Sequence, residues 1–331
     1  MELTFLGTGS GAPTRARNVS AVALQLPQRS EWWLVDCGEA TQHQILRCQH
    51  LRLSNLTRIF ITHLHGDHCF GLPGLLASRA LALGGTSPVS IHGPEALEPW
   101  LKATLRATAM RFGFPVNIEA TQAGMLFDDG GFFVSAAPVR HRIEAWAYRI
   151  QEHDQPGRFD IESARALGIP EGPLYGRLKR GETVTLDDGR VVDGSSLVGP
   201  ERPGRGVVFG GDTAWSQELL SLARKADLLV HEATYSNDDR VLAERASHST
   251  ALSAAKLARG AQVREMLLTH FSSRYEGNGE RSVDDLVDEA RTVFGNTRAA
   301  HDFLRVTVER FEPDAEGPES ADVADSIDLP S

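Results

Sequence analysis

One pattern recurs along this chain: a short apolar run that stops at a polar residue able to hold a metal. Residues 58–61 lead into Thr62 and His63, and 132–139 lead to His141. Likewise 206–211 lead to Asp212, 228–230 to His231 and Glu232, and 266–269 to His270. Met1 to Leu6 reads as a further strand. Short runs of this kind, rich in Val, Ile, Leu and Phe, predict strands. Helical stretches fall between them, after Gly71, Pro94, Ser216, Ser249 and Ser282. Strands alternating with helices predict a layered α+β domain. Ligands at strand ends make sense, because rigid elements then carry the loops that do chemistry.

Residues 151–205 break the pattern. They are rich in Gly, Pro and charge and lie between the expected strands 147–150 and 206–209. The segment reads as a large insertion projecting from the core, of a length that is usually functional or disordered. Arg177, Lys179 and Arg180 sit close to Tyr175, a cationic knot suited to a phosphate backbone. Glu182, Asp187 and Asp188 dilute that charge, and a solvated surface excursion is the plainer alternative.

The formal charge of −10 argues against a nucleic-acid binder. However, seven of the acids lie in 312–331, which has no Lys or Arg, so the body is only mildly acidic. The tail is expected to be disordered, and 1–311 is expected to form the working domain. Three cysteines without a CxxC fit a reduced, cytoplasmic protein, and Cys69 reads as a small buried apolar residue. No run approaches a membrane span, and the first residues do not read as a signal peptide.

The densest chemistry is His63-Leu64-His65-Gly66-Asp67-His68. Imidazole suits zinc and carboxylate suits harder cations, so the mixture predicts a hydrolytic metal site. An extended backbone points His63 and His65 the same way. The turn at Gly66 aims Asp67 and His68 towards a second ion. His63, His65 and His141 are expected to hold one metal, Asp67, His68 and His270 the other, with Asp212 bridging. A metal pair suits attack on a phosphodiester by activated water, which Asp67 would orient or deprotonate. His248 is the candidate donor to the leaving group, with Glu232 orienting it. A helix-entry histidine is the alternative for His248, and His231 reads as an outer support or a plain strand-end residue. His43, His50, His92, His153 and His301 read as surface or structural. The glycine-rich loop 7–11 lacks a nucleotide-binding fingerprint and is expected to allow close packing near the metals. The metal site alone also admits a small-nucleotide phosphodiesterase, or an RNA-binding scaffold with a structural metal.

Taken together these motifs resemble the metallo-β-lactamase superfamily. Within it, His231-Glu232-Ala233-Thr234, His248-Ser249-Thr250 and 269–275 resemble the tRNase Z (ribonuclease Z) family, short form. The resemblance covers roughly 1–310. It implies an αββα four-layer sandwich, two Zn2+ per subunit (Mn2+ or Co2+ as substitutes) and a homodimer. It implies endonucleolytic removal of the 3′ trailer from precursor tRNA, leaving a 3′-hydroxyl. The 151–205 insertion resembles the family's flexible arm, so Arg177, Lys179 and Arg180 would grip tRNA. Residues 13–18 resemble the PxKxRN loop, which makes Arg15, Arg17 and Asn18 substrate-binding candidates. Arg15 stands where the family commonly has Lys, and the acidic tail has no counterpart there.

Overall fold

Sixteen strands and ten α-helices account for about half of the residues described by the computed structural model, which are 1–82, 86–276 and 281–310. They fall into two compact units. The first comprises 1–153 and 204–309; the second is built on 154–203 and includes Arg310.

The first unit holds two seven-stranded sheets. In chain order their strands are β1 (Glu2–Gly7), β2 (Ala21–Gln25), β3 (Trp32–Val35), β4 (Leu56–Phe60), β5 (Val89–Gly93), β6 (Val116–Ala120), β7 (Gly124–Asp128), β8 (Phe132–Pro138) and β9 (Trp146–Glu152). After β10 (Thr183–Thr185) and β11 (Val191–Asp193) of the second unit come β12 (Gly206–Phe209), β13 (Leu228–Glu232), β14 (Glu265–Thr269), β15 (Thr297–Ala299) and β16 (Arg305–Thr307). One sheet runs β16-β1-β2-β3-β4-β5-β6 and the other β15-β14-β13-β12-β9-β8-β7.

The middle strands are covered on both faces, so β3, β12 and β13 are buried at every position, whereas β8 alternates and β6, β7 and β16 are partly exposed. In β3, Trp33 and Val35 join the core between the sheets, where Leu3, Phe5 and Phe60 meet Val134, Tyr148, Ile150, Val207 and Val230. Trp32 and Leu34 join Ile45, Leu72, Leu76 and Leu97 of the helices outside. On the other flank, Val208, Leu229 and Met266 pack against Leu219, Ala254, Ala258 and Leu286. The result is the four-layer αββα order.

Helices form at all five expected places: Leu72–Leu81, Leu97–Ala107, Gln217–Leu222, Ala251–Gly260 and Val283–Arg291. Ser216 and Ser282 cap two of them. Thr250, not Ser249, caps the fourth, because the Ser249 hydroxyl donates instead to the Thr213 carbonyl at 2.6 Å. Among the described residues no helix is long and apolar enough to cross a membrane.

Within the 151–205 insertion, segment 154–203 has regular structure of its own. It forms helices Ile161–Ala166 and Pro173–Lys179 and the β10–β11 hairpin. These surround a small core of Ala164, Ile169, Leu178, Val184, Leu186, Val192 and Leu197. Elements of three to seven residues complete too few turns for their periodicity to stand out. The acidic tail from Glu312 lies outside the described residues.

Candidate metal centre and active site

β12, β13 and β14 run parallel, so their C-terminal ends bring Asp212, Glu232 and His270 to one edge of the sheet. β8 ends on the same side and delivers His141. The facing sheet contributes the segment after β4. Two hydrogen bonds tie that segment to β9: Trp146 N–H donates to the Thr62 carbonyl at 2.9 Å, and Tyr148 Oη to the Ile61 carbonyl at 2.8 Å. The site is therefore clamped from both sheets.

Gly66 starts a one-turn helix, Gly66–Cys69, that redirects the chain between His65 and His68. A Cβ at Gly66 would sit 2.5 Å from the exposed Phe70 ring, which would have to shift to admit it. The redirection separates two groups of ligand atoms. His65 Nδ1 lies 3.0 Å from His63 Nε2 and 3.1 Å from His141 Nε2. His270 Nε2 lies 3.3 Å from both His68 Nε2 and Asp67 Oδ2. Asp212 Oδ2 stands between the groups, 3.6 Å from His63 Nε2, 3.4 Å from His68 Nε2 and 3.3 Å from His270 Nε2. Each candidate triad gathers its ligand atoms within 4.8 Å.

The far sides of the rings are anchored. His68 Nδ1 is 2.8 Å from Asp36 Oδ2, His141 Nδ1 is 2.9 Å from the Ser247 carbonyl, and His270 Nδ1 is 2.8 Å from Thr234 Oγ1. Partners that only accept hydrogen bonds fix the proton on Nδ1 of His68 and His141, which turns the Nε2 lone pairs inward. One proton cannot bridge all three nitrogens that meet at His65, whereas a cation satisfies them together. Imidazole and carboxylate donors with anchored outer nitrogens fit a pair of divalent metal ions.

The buried carboxylates and imidazoles also shift one another. Burial opposes the Asp212 carboxylate, but His270, His68 and His63 outweigh it and hold the group well below the usual range. Burial also opposes charge on His68, yet Asp212 and Asp36 raise it well above an ordinary histidine. His63 is lowered, by burial first and then by His68.

Beside the triads, His248 Nδ1 lies 2.9 Å from Glu232 Oε1. Glu232 is itself buried and fixed, accepting from Thr213 N–H at 2.7 Å and from the Thr234 hydroxyl. Burial disfavours a charged His248, but Glu232 prevails and lifts it to about 9. Asp67 Oδ2 also accepts Gly11 N–H at 2.7 Å, so the glycine-rich loop touches the site directly.

The six substrate-binding candidates fare differently. Arg15 and Lys179 are exposed. Arg17 is largely committed to the fold. Its guanidinium donates to Thr8 Oγ1 and the Ala300 carbonyl, pairs with Glu276 at 3.3 Å and covers the Phe271 ring. Asn18 donates to the Glu39 carbonyl and, through its backbone, to Asp302. Arg177 and Arg180 both pair with Glu182, which cancels part of the expected cationic knot.

Asp36, Thr62, Ser247 and Thr234 are the positioning residues that sequence reading missed. Thr234 alone carried a signal, as part of the His-Glu-Ala-Thr run. His231 is a buried strand residue bonded to the Glu232 carbonyl. His92 is buried on Phe60, and His153 pairs with Asp128.

Family profiles match two stretches: "Anti-Pycsar protein Apyc1" over 1–114 and "Beta-lactamase superfamily domain" over 183–271. Human tRNase Z, short form, superposes with a TM-score of 0.66 at 28% identity, covering 93% of this chain and all of that one. The metallo-beta-lactamase fold protein YhfI of Bacillus subtilis shares the fold, with a TM-score of 0.63 at 21% identity over 92% of this chain and 98% of its own. A ribonuclease Z from a Synechococcus species is 53% identical over 93% of this chain and 99% of its own length. One from a Cyanothece species is 50% identical over 95% and 98%. With that identity extending over nearly the full length of both chains, the chain belongs to the ribonuclease Z family and is a hydrolytic nuclease on the metallo-β-lactamase fold.

Proposed function

We propose that this chain is a zinc-dependent endoribonuclease that removes the 3′ trailer from precursor tRNA and leaves a 3′-hydroxyl on the tRNA. The observation that carries the reading is Asp212 Oδ2 lying within 3.6 Å of imidazoles from both triads, beside a carboxylate-held histidine. His63, His65 and His141 would hold one ion, Asp67, His68 and His270 the other, and Asp212 both. A bound pair neutralises charge at the phosphate and lowers the pKa of water.

The side chains supply the rest. Asp67, whose Oδ2 accepts Gly11 N–H, orients the attacking water and takes its proton. His248, held at Nδ1 by Glu232, presents Nε2 to the departing 3′-oxygen and protonates it. Arg15 and the exposed Lys179 meet phosphates, while Arg177 and Arg180 must exchange Glu182 for RNA. Segment 154–203 serves as the remote grip, and the enzyme works as a cytoplasmic homodimer whose mass light scattering would measure.

The test is cleavage of an end-labelled precursor tRNA by metal-loaded enzyme, with ends mapped and metal counted by mass spectrometry. The reading expects one cut beside the last base of the mature body, two metals per chain and loss of cleavage with chelator. Hydrolysis of a small phosphodiester with the precursor left intact would overturn it in favour of a general phosphodiesterase.

A further inference from the structure

Tyr235 stands near His248, and Arg274 and Asp239 lie beyond it, none of them with a part in the chemistry above. Tyr235 follows the His231–Thr234 run, and its carbonyl accepts Ala251 N–H at 3.0 Å, which fixes it to the segment carrying His248. Its ring centroid lies 6.1 Å from that of His248. The Arg274 guanidinium covers the Tyr235 ring at 5.2 Å, and Arg274 NH1 is 3.3 Å from Asp239 Oδ1. Asp239 is fixed in turn, because Oδ2 accepts the hydroxyl of buried Tyr275 at 2.6 Å. Tyr275 Oη also accepts Ser236 N–H at 2.7 Å. A chain of hydrogen bonds starting in the core therefore holds one guanidinium plane in place. The Arg274 side chain is still 42% exposed.

This is an expensive way to place a surface arginine. Long side chains lose rotamer entropy when fixed, and exposed ion pairs return little. A planar cation backed by an aromatic ring is, however, a good surface for a nucleobase. Bases stack on guanidinium planes as they do on aromatic rings, whatever their identity.

We infer that Arg274, backed by Tyr235 and positioned by Asp239, is the stacking shelf for the last base of the retained RNA. The inference rests on the tRNA-processing reading. His248 protonates the departing 3′-oxygen there, so the nucleotide nearest His248 is the one that bears this oxygen. Arg274 binds substrate; Asp239 and Tyr275 only position it.

The experiment is a double-mutant cycle with metal-loaded full-length enzyme. Precursor tRNA carries either a normal or an abasic nucleotide at the last retained position, and the enzyme is wild type, Arg274→Ala or Arg274→Lys. Base stacking of about 1–3 kcal/mol corresponds to roughly 5- to 150-fold in kcat/KM. Arg274→Ala on the normal precursor and wild type on the abasic one should each lose about that factor. Combining the two should lose little more. Arg274→Lys should behave like Ala, since it keeps the charge but not the plane. Metal content and melting temperature should match wild type in both variants, showing that fold and metal site are intact. Additive losses or rescue by Lys would each overturn the shelf. Wild-type enzyme that fails to cut either precursor would overturn the tRNA reading itself.

Discussion

At the scale of single residues, the ligands and the groups that aim them are different kinds of feature. His63, His65, Asp67 and His68 were legible because they crowd into six positions, and His141, Asp212 and His270 because each ends an apolar run. Asp36 was not legible. It lies far from His68 in sequence and reaches it only through the pairing of β3 with β4. Its backbone φ of +58° is left-handed, a conformation Asn also tolerates. Asp36→Asn should therefore remove charge behind His68 without disturbing the chain. We expect metal affinity to fall about 10- to 100-fold in a chelator competition. Unchanged affinity would mean that Asp36 serves only to hold Thr62, whose N–H it accepts at 2.8 Å.

Asp129 carries a pH-dependent contribution well away from the metals. It accepts two nitrogens of Arg29, at 2.6 and 3.0 Å, and the N–H groups of Gly131 and Phe132. Burial opposes its charge, but these bonds win and hold the carboxyl at about 2. A depressed acid stabilises above its unfolded value of about 3.9, and that stability fades as pH falls through the folded value. Asp129→Asn should cost about 1 kcal/mol at neutral pH, after allowing for solvent screening. The gap in urea midpoint between wild type and variant should shrink from about pH 5 to about pH 3. A gap that stays constant would assign the effect to shape instead of charge.

Among elements, the apolar strands that end in ligands and the helices that follow them announced themselves, and those of 154–203 did not. The helices and hairpin of 154–203 are each too short to show a period, and Gly and Pro dominate what the eye meets first. Their stability depends on few apolar contacts, so single residues there carry unusual weight. Leu178 is wholly buried among the other core residues of that unit. Leu178→Ala should cost about 2–5 kcal/mol, enough to unfold a unit this small on its own. If the unit is the remote grip, KM for precursor tRNA rises while small-ester hydrolysis holds, and protease cuts within 154–203 appear. Equal loss of both activities would show instead that the unit supports the main fold.

For the whole molecule, both the layers and the site's location follow from one fact: two sheets whose middle strands are covered on both faces present their strand ends at one edge. The sequence pattern carried this arrangement, since apolar runs ending in ligands recur in strands of each sheet. What it could not carry was the pairing order across sheets, which places His63 opposite Asp212. Metal binding should stabilise the entire fold, because ions bind the native arrangement and not the unfolded chain. Dialysis against chelator should lower Tm by several degrees, and added Zn2+ should restore it. A Tm indifferent to chelator would mean the rings are held as firmly without ions.

The anchored imidazoles have a consequence beyond catalysis. Their outer nitrogens are held before any ion arrives, so the apo chain keeps a buried cluster of imidazoles and carboxylates that an ion would bridge. A cell short of the metal would then hold a less stable population of this protein as well as a less active one. Proteases sample the opened fraction of such a population. Metal supply would in this way set the abundance of the enzyme through its lifetime, without any dedicated regulatory domain.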